Sequence, residues 1–444
     1  MMPNVHCTLL ATAGLFCLLY ALAARGAPPL PQHSLDKTLG LRSCAGSLCH
    51  GSVDAWKSSG VLQTEYMTWS RTDKHARSYA VLLSERSKEM AAELGLPAPA
   101  HRTGLCLDCH THNPPPDRRG EAYDVADGVV CESCHGAADR WVKTHVEPAA
   151  THAGNVTKGM YPTNDDVARA RLCLSCHMGN RNKFVTHKMM AAGHPRLAFE
   201  LDTFTQIGPA HFQIDADWRK RKGSWEGVRA WAIGQAVAAE ELLALLQGGR
   251  GRDGLFPELV LFDCHSCHHS MTDTRNTAAR VGAGPGVVRL NDSSLLMLRQ
   301  IARRVMPGEA DAFQQGVAEL HRAVASGSKA FIQARAVEER IAAMVPRIAT
   351  YRFSGNDVRA ILNGLIDDGL GGQYNDYQGA EQAAMAVQSV VDFMDRHSLQ
   401  RKQAVQPAMT RMLAAVASDE RYQPAAFEQS LRELKASMNP GVRK

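Results

Sequence analysis

The sequence predicts a mainly α-helical fold with extensive loops, in which a long loop-rich region precedes a small C-terminal helical bundle. Patterns typical of β-strands are nearly absent from the 444 residues. All 12 cysteines and most of the 19 histidines lie before residue 270, between segments rich in Gly, Pro, Asn and Asp that indicate loops. From residue 292 onward the chain has no cysteine, and its apolar residues recur at helical spacing.

Residues 1–26 are predicted to be a secretory signal peptide. Residues 9–24 form an apolar run, and small residues suitable for cleavage follow near positions 23–27. An uncleaved anchor is the alternative, but this run is shorter than the roughly 20 residues that span a bilayer. The mature chain is therefore expected to be periplasmic or otherwise extracytoplasmic, with no membrane span.

Ten of the cysteines form five pairs, and a histidine directly follows each pair. Four pairs have two-residue spacing: Cys106, Cys109 and His110; Cys131, Cys134 and His135; Cys173, Cys176 and His177; Cys264, Cys267 and His268. In the fifth, four residues separate Cys44 from Cys49, and His50 follows. C-x-x-C-H is the attachment signature of haem c: the two thiols bind the vinyl groups, and the histidine is the proximal ligand of the iron. The sequence predicts five haems, and at least four.

Cysteine pairs in an exported chain have other uses. A pair can form a structural disulfide, and two pairs can hold zinc. Neither use requires a histidine after every second cysteine, and no strand–helix unit around the pairs suggests a thioredoxin-like redox motif. For the wider first pair, a disulfide between Cys44 and Cys49 stays open as the alternative.

Other histidines are candidates for the second, distal iron position. Asp73 is expected to cap a helix that runs to about Leu94, with a histidine in its first turn. The candidates, ranked by their sequence context, are His75, His194, His145, His187, His211 and His269. Weaker candidates are His33, His101, His112, His152 and His265, whereas His321 and His397 are expected to be solvated or core residues of the helical tail.

Four segments carry a resemblance to a known family: residues 43–51, 68–76, 127–136 and 192–201. Together they resemble multihaem cytochromes of the cytochrome c-554-like class, the c-552/4 domain, over residues 40–270. The resemblance implies an electron carrier with closely stacked haems that are mostly ligated by two histidines. It also supports His75 and His194 as distal ligands and the first pair as a true haem site.

We expect three segments along the chain: the signal peptide, a multihaem domain over residues 27–285, and a C-terminal helical domain over residues 286–444 of about six helices. Aromatic residues make up only 6% of the chain, so haems are expected to build much of the core of the multihaem domain. One longer helix is predicted at residues 226–247, with its apolar side chains mostly along one side. A glycine-rich stretch at 282–286 marks the domain boundary, and Pro346, Pro407 and Pro424 are expected to separate helices.

Electron transfer is the predicted function, because iron held by two imidazoles has no open position for a substrate. One alternative is a multihaem oxidoreductase with one open-site haem, acting on nitrite or hydroxylamine; another is a subunit of a larger cytochrome assembly. The expected partners are redox proteins, either other cytochromes or a membrane quinol-linked reductase. The formal charge of +5 does not indicate a nucleic-acid partner. Five ferric haems would bring the mature chain to about −1 and full reduction to about −6, so partners are expected to present a basic patch.

Overall fold

The computed structural model describes residues 28–57, 60–223, 226–248, 258–268, 288–327 and 329–438. Across these ranges the chain is helical with long loops, and β-pairing is limited to three isolated bridges: Thr38 with Arg119, Asn180 with Lys183, and Phe262 with Leu290. The predicted mainly α fold is confirmed. The predicted signal peptide and the predicted boundary at residues 285–286 lie outside the described residues. None of the described helices has the length and apolar composition to cross a membrane.

The described residues up to 223 form ten short helices, α1 to α10, joined by loops. Their bounds are Glu65–Thr72, Ser78–Val81, Glu85–Glu93, Gly104–His110, Cys131–His135, His152–Thr157, Asp166–His177, His187–Ala191, Leu201–Ile207 and Ala216–Lys222. Single turns of 3-10 helix occur along the chain at Pro31–His33, Leu41–Ser43, Lys74–Arg77, Ala100–Arg102, Pro116–Arg118, Val125–Asp127, Thr144–Val146, Leu259–Leu261, Cys264–Ser266 and Pro307–Glu309.

The predicted helix after Asp73 is divided into three pieces. Asp73 does act as a cap, since its carboxylate accepts a hydrogen bond from the backbone N–H of His75. The chain then makes a 3-10 turn, the short α2 and finally α3, which ends at Glu93. The division arises because the side chain of Ser84 accepts a hydrogen bond from the N–H of Ser87 and so starts a new helix.

Three motif helices end at the histidine that follows the cysteine pair. These are α4, α5 and α7, whose last residues are His110, His135 and His177. After α5 the chain turns away at Gly136, whose φ of 87° lies in the region that favours glycine. Each imidazole therefore projects from the last turn of a short, rigid element.

Helix α11, Gly227–Gln247, lies at the centre of the largest core. The helix matches the predicted bounds, and Glu226 is its N-cap residue. Its apolar side chains do not lie along one side as predicted, because residues around its whole circumference are buried. The helix packs against α7, α9 and several C-terminal helices. A helix that is apolar all round is expected at the centre of a core rather than at its surface.

The described residues between 288 and 438 form seven helices, one more than expected for the C-terminal domain. Helices α12 to α18 are Ser293–Val305, Ala310–Ser326, Ala330–Thr350, Gly355–Leu370, Tyr377–Arg396, Lys402–Ala415 and Pro424–Met438. Pro424 begins a helix, but Pro346 and Pro407 lie inside α14 and α17 and do not separate helices. These helices share one apolar core with α11. Only two clusters of three buried apolar residues each lie in the loop-rich part of the described chain.

Candidate haem sites

The five cysteine–histidine motifs are numbered here in chain order. They are site 1 (Cys44, Cys49, His50), site 2 (Cys106, Cys109, His110), site 3 (Cys131, Cys134, His135), site 4 (Cys173, Cys176, His177) and site 5 (Cys264, Cys267, His268). All ten thiols are free, including the two of site 1 for which a disulfide was the alternative. Free thiols at all five sites are the chemical state needed for attachment to haem vinyl groups.

Each motif histidine faces one other histidine. The ring centroids are 6.2 Å apart for His50 and His145, 6.3 Å for His110 and His194, 6.1 Å for His135 and His211, 5.8 Å for His177 and His75, and 6.0 Å for His268 and His187. Five of the six distal candidates are therefore each brought to a different motif. The sixth, His269, lies outside the described residues.

The spacing within these pairs fits a metal ion held between two imidazoles. Two nitrogen–metal bonds of about 2 Å, plus about 1 Å from each nitrogen to its ring centre, separate the ring centres by about 6 Å. All five observed distances fall between 5.8 and 6.3 Å. The side chains present thus fit a haem iron at each site, with the motif histidine and its facing histidine as the residues that would hold it.

Hydrogen bonds at Nδ1 orient several of these rings. Backbone carbonyls accept from the Nδ1–H of His110, His145 and His194, at 3.1, 2.5 and 2.8 Å. A carbonyl oxygen can only accept, so these rings carry their proton on Nδ1 and leave the Nε2 lone pair free for a metal. Oxygen acceptors of this kind fix the ring and tautomer of metal-binding histidines in general.

Two carboxylates play the same part at sites 1 and 4. Glu65 lies 3.0 Å from Nδ1 of His50, and Asp73 lies 2.9 Å from Nδ1 of His75. The hydrogen bond to the carboxylate raises the pKa of each imidazole. Asp73 was recognisable in the sequence as a helix cap. The role of Glu65 was missed, because nothing in the sequence links it to a ring fifteen positions away.

Burial keeps other imidazoles neutral, the form in which histidine binds metals. Burial lowers the pKa of His135 to about 3, and burial also lowers the pKa of His177, His194 and His211. These rings would bind a metal without first losing a proton at neutral pH.

The four-residue spacer of site 1 is accommodated by a loop. At site 5 the N–H of His268 donates to the carbonyl of Cys264 at 2.8 Å, and in α4, α5 and α7 the helical pattern gives the same relation. At site 1 the N–H of His50 still donates to the carbonyl of Cys44, at 3.1 Å, although two more residues intervene. The extra residues bulge outward, and Leu48 among them is 82% exposed. Site 1 therefore keeps the backbone closure of the shorter motifs.

Neighbouring sites are linked through their cysteines. The thiols of Cys44 and Cys131 lie close enough to shift each other's pKa, raising that of Cys44 and lowering that of Cys131, which places sites 1 and 3 next to each other. Burial, together with the nearby thiols of site 4, raises the pKa of Cys134 to about 12, so sites 3 and 4 are also close. The thiols of Cys109 and Cys176 also shift each other's pKa, raising that of Cys109 and lowering that of Cys176, which places sites 2 and 4 next to each other.

A serine side chain and a shared backbone segment provide two further links between sites. Ser78 Oγ donates to the carbonyl of His75 at 2.7 Å and to that of His110 at 2.8 Å, which ties site 4 to site 2. His187 and His194, which face the motif histidines of sites 5 and 2, both lie on α8 or in the turn after it. The sites thus follow one another in the order 1, 3, 4, 2, 5.

Several weaker candidates have other partners. His112 is buried and bonds to Thr38 Oγ1 at 2.9 Å, and burial lowers its pKa to about 4. His321 lies 3.0 Å from Asp292, and His265 lies 2.7 Å from Asp419. His397 donates from Nδ1 to the carbonyl of Phe393. None of these four rings faces a motif histidine among the contacts of the described residues.

A buried lysine near sites 2 and 4 was also missed in the sequence. Lys183 is 7% exposed, and its ammonium donates to the carbonyl oxygen of Asp108 at 2.5 Å and to Sγ of Cys176 at 3.1 Å. It follows a tight turn closed by Asn180, whose backbone pairs with that of Lys183. A fixed positive charge therefore lies where two motifs meet.

C-x-x-C-H motifs in the loops of a mainly helical chain are typical of c-type cytochromes. Residues 44–136 match the family model described as cytochrome c554 and c-prime. This match, over about a fifth of the chain, covers sites 1 to 3 and confirms the resemblance to a c-type cytochrome family. It supports covalently bound haem c and a role in electron transfer. Neither the curated proteins nor the solved structures contain a match to the chain.

Proposed function

We propose that the chain is an extracytoplasmic multihaem cytochrome that binds five c-type haems, each between two histidines, and conducts electrons along them. The observation that carries the proposal is the pairing of each motif histidine with one other histidine at 5.8 to 6.3 Å. When bound, each haem supplies an iron that accepts and releases one electron. The protein's part is to hold both axial imidazoles, to fix their orientation and to place neighbouring sites in contact.

Paired histidines favour an electron carrier over an oxidoreductase. An enzyme of the nitrite or hydroxylamine type needs an iron with one free position, together with donors that stabilise a bound anion. Here all five motif histidines already face a second imidazole. No contact of the described residues therefore favours the catalytic alternative.

The links between sites support a single path for electrons. Sites 1 and 3 are joined by Cys44 and Cys131, sites 2 and 4 by Cys109 and Cys176, and sites 2 and 5 by the segment that carries His187 and His194. We infer that electrons pass in the order 1, 3, 4, 2, 5 or its reverse. Sites 1 and 5 would then exchange electrons with redox protein partners.

The test is to count haems and record their spin state. The purified protein should give five haems per chain in the pyridine haemochrome assay, and its ferric EPR spectrum should be wholly low-spin. His145→Ala should convert one haem to a high-spin form that binds cyanide. The control His101→Ala, which alters a histidine that contacts Tyr79 and no motif histidine, should leave the spectrum unchanged. A high-spin signal in the unmodified protein, or fewer than five haems, would overturn the proposal in this form.

A further inference from the structure

The C-terminal helices meet the loop-rich region at site 5 through polar side chains. Gln378, at the start of α16, donates from Nε2 to Sγ of Cys264 at 3.8 Å. Asp419, in the loop between α17 and α18, lies 2.7 Å from Nε2 of His265, inside the motif. The ring of Tyr377 packs edge-on against the same histidine, with centroids 6.2 Å apart. Three C-terminal side chains thus contact the two residues that begin the motif.

A charged pair lies beside these contacts. Arg196 donates from Nη2 to both carboxylate oxygens of Glu381, at 2.9 and 3.0 Å, and its guanidinium lies 5.2 Å from the ring centre of Tyr377. Its Nε is 3.8 Å from Asp419, and the Tyr377 hydroxyl donates to Glu381 at 3.1 Å. Because Arg196 follows His194 by two residues, the pair connects α16 to the segment that links sites 2 and 5.

Charged side chains next to site 5 affect the thiol of Cys264. Burial is the main cause of the raised pKa of Cys264, and the Arg196 cation opposes it while Asp263 and Asp419 add to it. Arg196 and Glu381 are themselves mostly buried, with 21% and 16% of their side chains exposed, so water screens them less than a surface pair. A change in the charge at Arg196, or in how far a carboxylate neutralises it, should therefore reach the atoms of site 5.

Packing alone does not explain these contacts. The C-terminal helices bury their apolar side chains in the core around α11, and neither Cys264 nor His265 belongs to that core. The contacts at site 5 are instead hydrogen bonds and ion pairs directed at the motif. Because these contacts are polar and all reach the first two residues of the motif, they indicate that the C-terminal side chains help to form site 5.

We propose that the C-terminal helices complete the fifth haem site: Gln378 and Asp419 position the motif, and the Arg196–Glu381 pair sets the local charge there. This inference rests on the proposed function, since it concerns a haem held by Cys264, Cys267 and His268. It assigns to the C-terminal helices control over the reduction potential at one end of the electron path. Glu381 is the nearer of the two carboxylates beside the guanidinium, and without it the less neutralised cation would favour the reduced haem.

The decisive variant is Glu381→Gln, studied in the haem-loaded, full-length protein. One of the five midpoint potentials in a spectroelectrochemical titration should rise by a tenfold change in its one-electron equilibrium constant, which corresponds to about 59 mV. The other four should stay in place. The matched control is Glu433→Gln, because Glu433 also pairs with an arginine, Arg411, but on α18 and without a contact to the motif. Five unshifted potentials, or an equal shift in the control, would overturn the inference.

A second variant tests the inference if Glu381→Gln does not fold. If Glu381→Gln loses its helical circular dichroism, Tyr377→Phe keeps the ring and removes only the hydroxyl, which donates to Glu381 and to the carbonyl of Val416. A shift confined to one potential supports the inference, and unchanged potentials reject it. The haem count separates the two hypotheses: a protein without five haems contradicts the proposed function, whereas five haems with unmoved potentials contradict only the role of the C-terminal helices.

Discussion

Glu200 offers a test of the structure in which the size of the effect follows from its surroundings. The residue is 1% exposed at the N-cap of α9, and it follows Phe199, whose ring stacks on His177 of site 4 at 4.6 Å. Its carboxylate accepts hydrogen bonds from the N–H groups of Asp202 and Thr203, both at 2.8 Å. Burial is the larger cause and the Asp202 charge adds to it, so that the pKa of Glu200 rises to about 7.

The pKa shift predicts a dependence of stability on pH. Below about pH 4.5 Glu200 is protonated in both the folded and the unfolded chain, and it contributes no difference. Between pH 4.5 and 7 the unfolded chain ionises first, so folding must take up a proton and the free energy of unfolding falls as pH rises. At 1.36 kcal/mol per pKa unit, the loss reaches about 3 kcal/mol near pH 7 and stays constant above it.

Glu200→Gln should remove this loss, because glutamine does not ionise and can still accept a hydrogen bond from the helix start. Guanidinium denaturation at pH 5, 6, 7 and 8 would measure the free energy of unfolding of both proteins. The variant should gain about 3 kcal/mol relative to the unmodified chain between pH 4.5 and pH 7, and little more at pH 8. The control Glu89→Gln, at an exposed position of α3, should show no such trend. A difference between Glu200→Gln and the unmodified chain that is the same at every pH would refute the reasoning.

Three further predictions follow from buried or motif residues. Lys183→Met should lower one or two reduction potentials by about 59 mV, because the ammonium 3.1 Å from Cys176 favours the reduced state. Lys183→Arg keeps the positive charge and should leave the potentials in place. Unchanged potentials in a redox titration of Lys183→Met would contradict this role of Lys183. Leu243→Ala, at a fully buried position of α11, should lower the free energy of unfolding by about 2–5 kcal/mol in guanidinium denaturation. A loss below about 1 kcal/mol would show that neighbouring side chains repack to fill the cavity. The double variant Cys44→Ser, Cys49→Ser should reduce the pyridine haemochrome count from five to four, and retention of all five haems would show that site 1 does not bind one.

The sequence predicted the members of the sites better than their pairing. Five of the six distal candidates face a motif histidine, yet no local pattern could have matched them. His110 faces His194 and His177 faces His75 across long stretches of loop. The folding of the whole loop-rich region decides such pairs, whereas the motifs depend only on the local spacing of cysteines and a histidine.

The helices show the same limit. The bounds of α11 were predictable from a long apolar stretch that ends in glycine, but its burial on all sides was not, because burial depends on which helices surround it. Pro346 was expected to end a helix, yet α14 continues to Thr350. Proline removes one backbone hydrogen bond, and the buried side chains on both sides of it, Met344 and Ile348, hold the helix together by tertiary packing.

The distribution of buried residues bears on why the loop-rich region adopts its fold. Apart from the few residues of α7, α9 and nearby loops that join the extensive core around α11, its apolar clusters contain three residues each, too few to stabilise so long a stretch of chain. Large apolar side chains are also exposed beside its motifs and beside a facing histidine: Leu48 lies within site 1, Leu105 precedes Cys106, and Val146 follows His145. Exposed apolar residues at these positions are explained if each motif packs against a large apolar macrocycle. On this argument the haems of the loop-rich region are both its redox groups and most of its core, so losing a haem there should destabilise the surrounding loops as well as remove a step from the electron path.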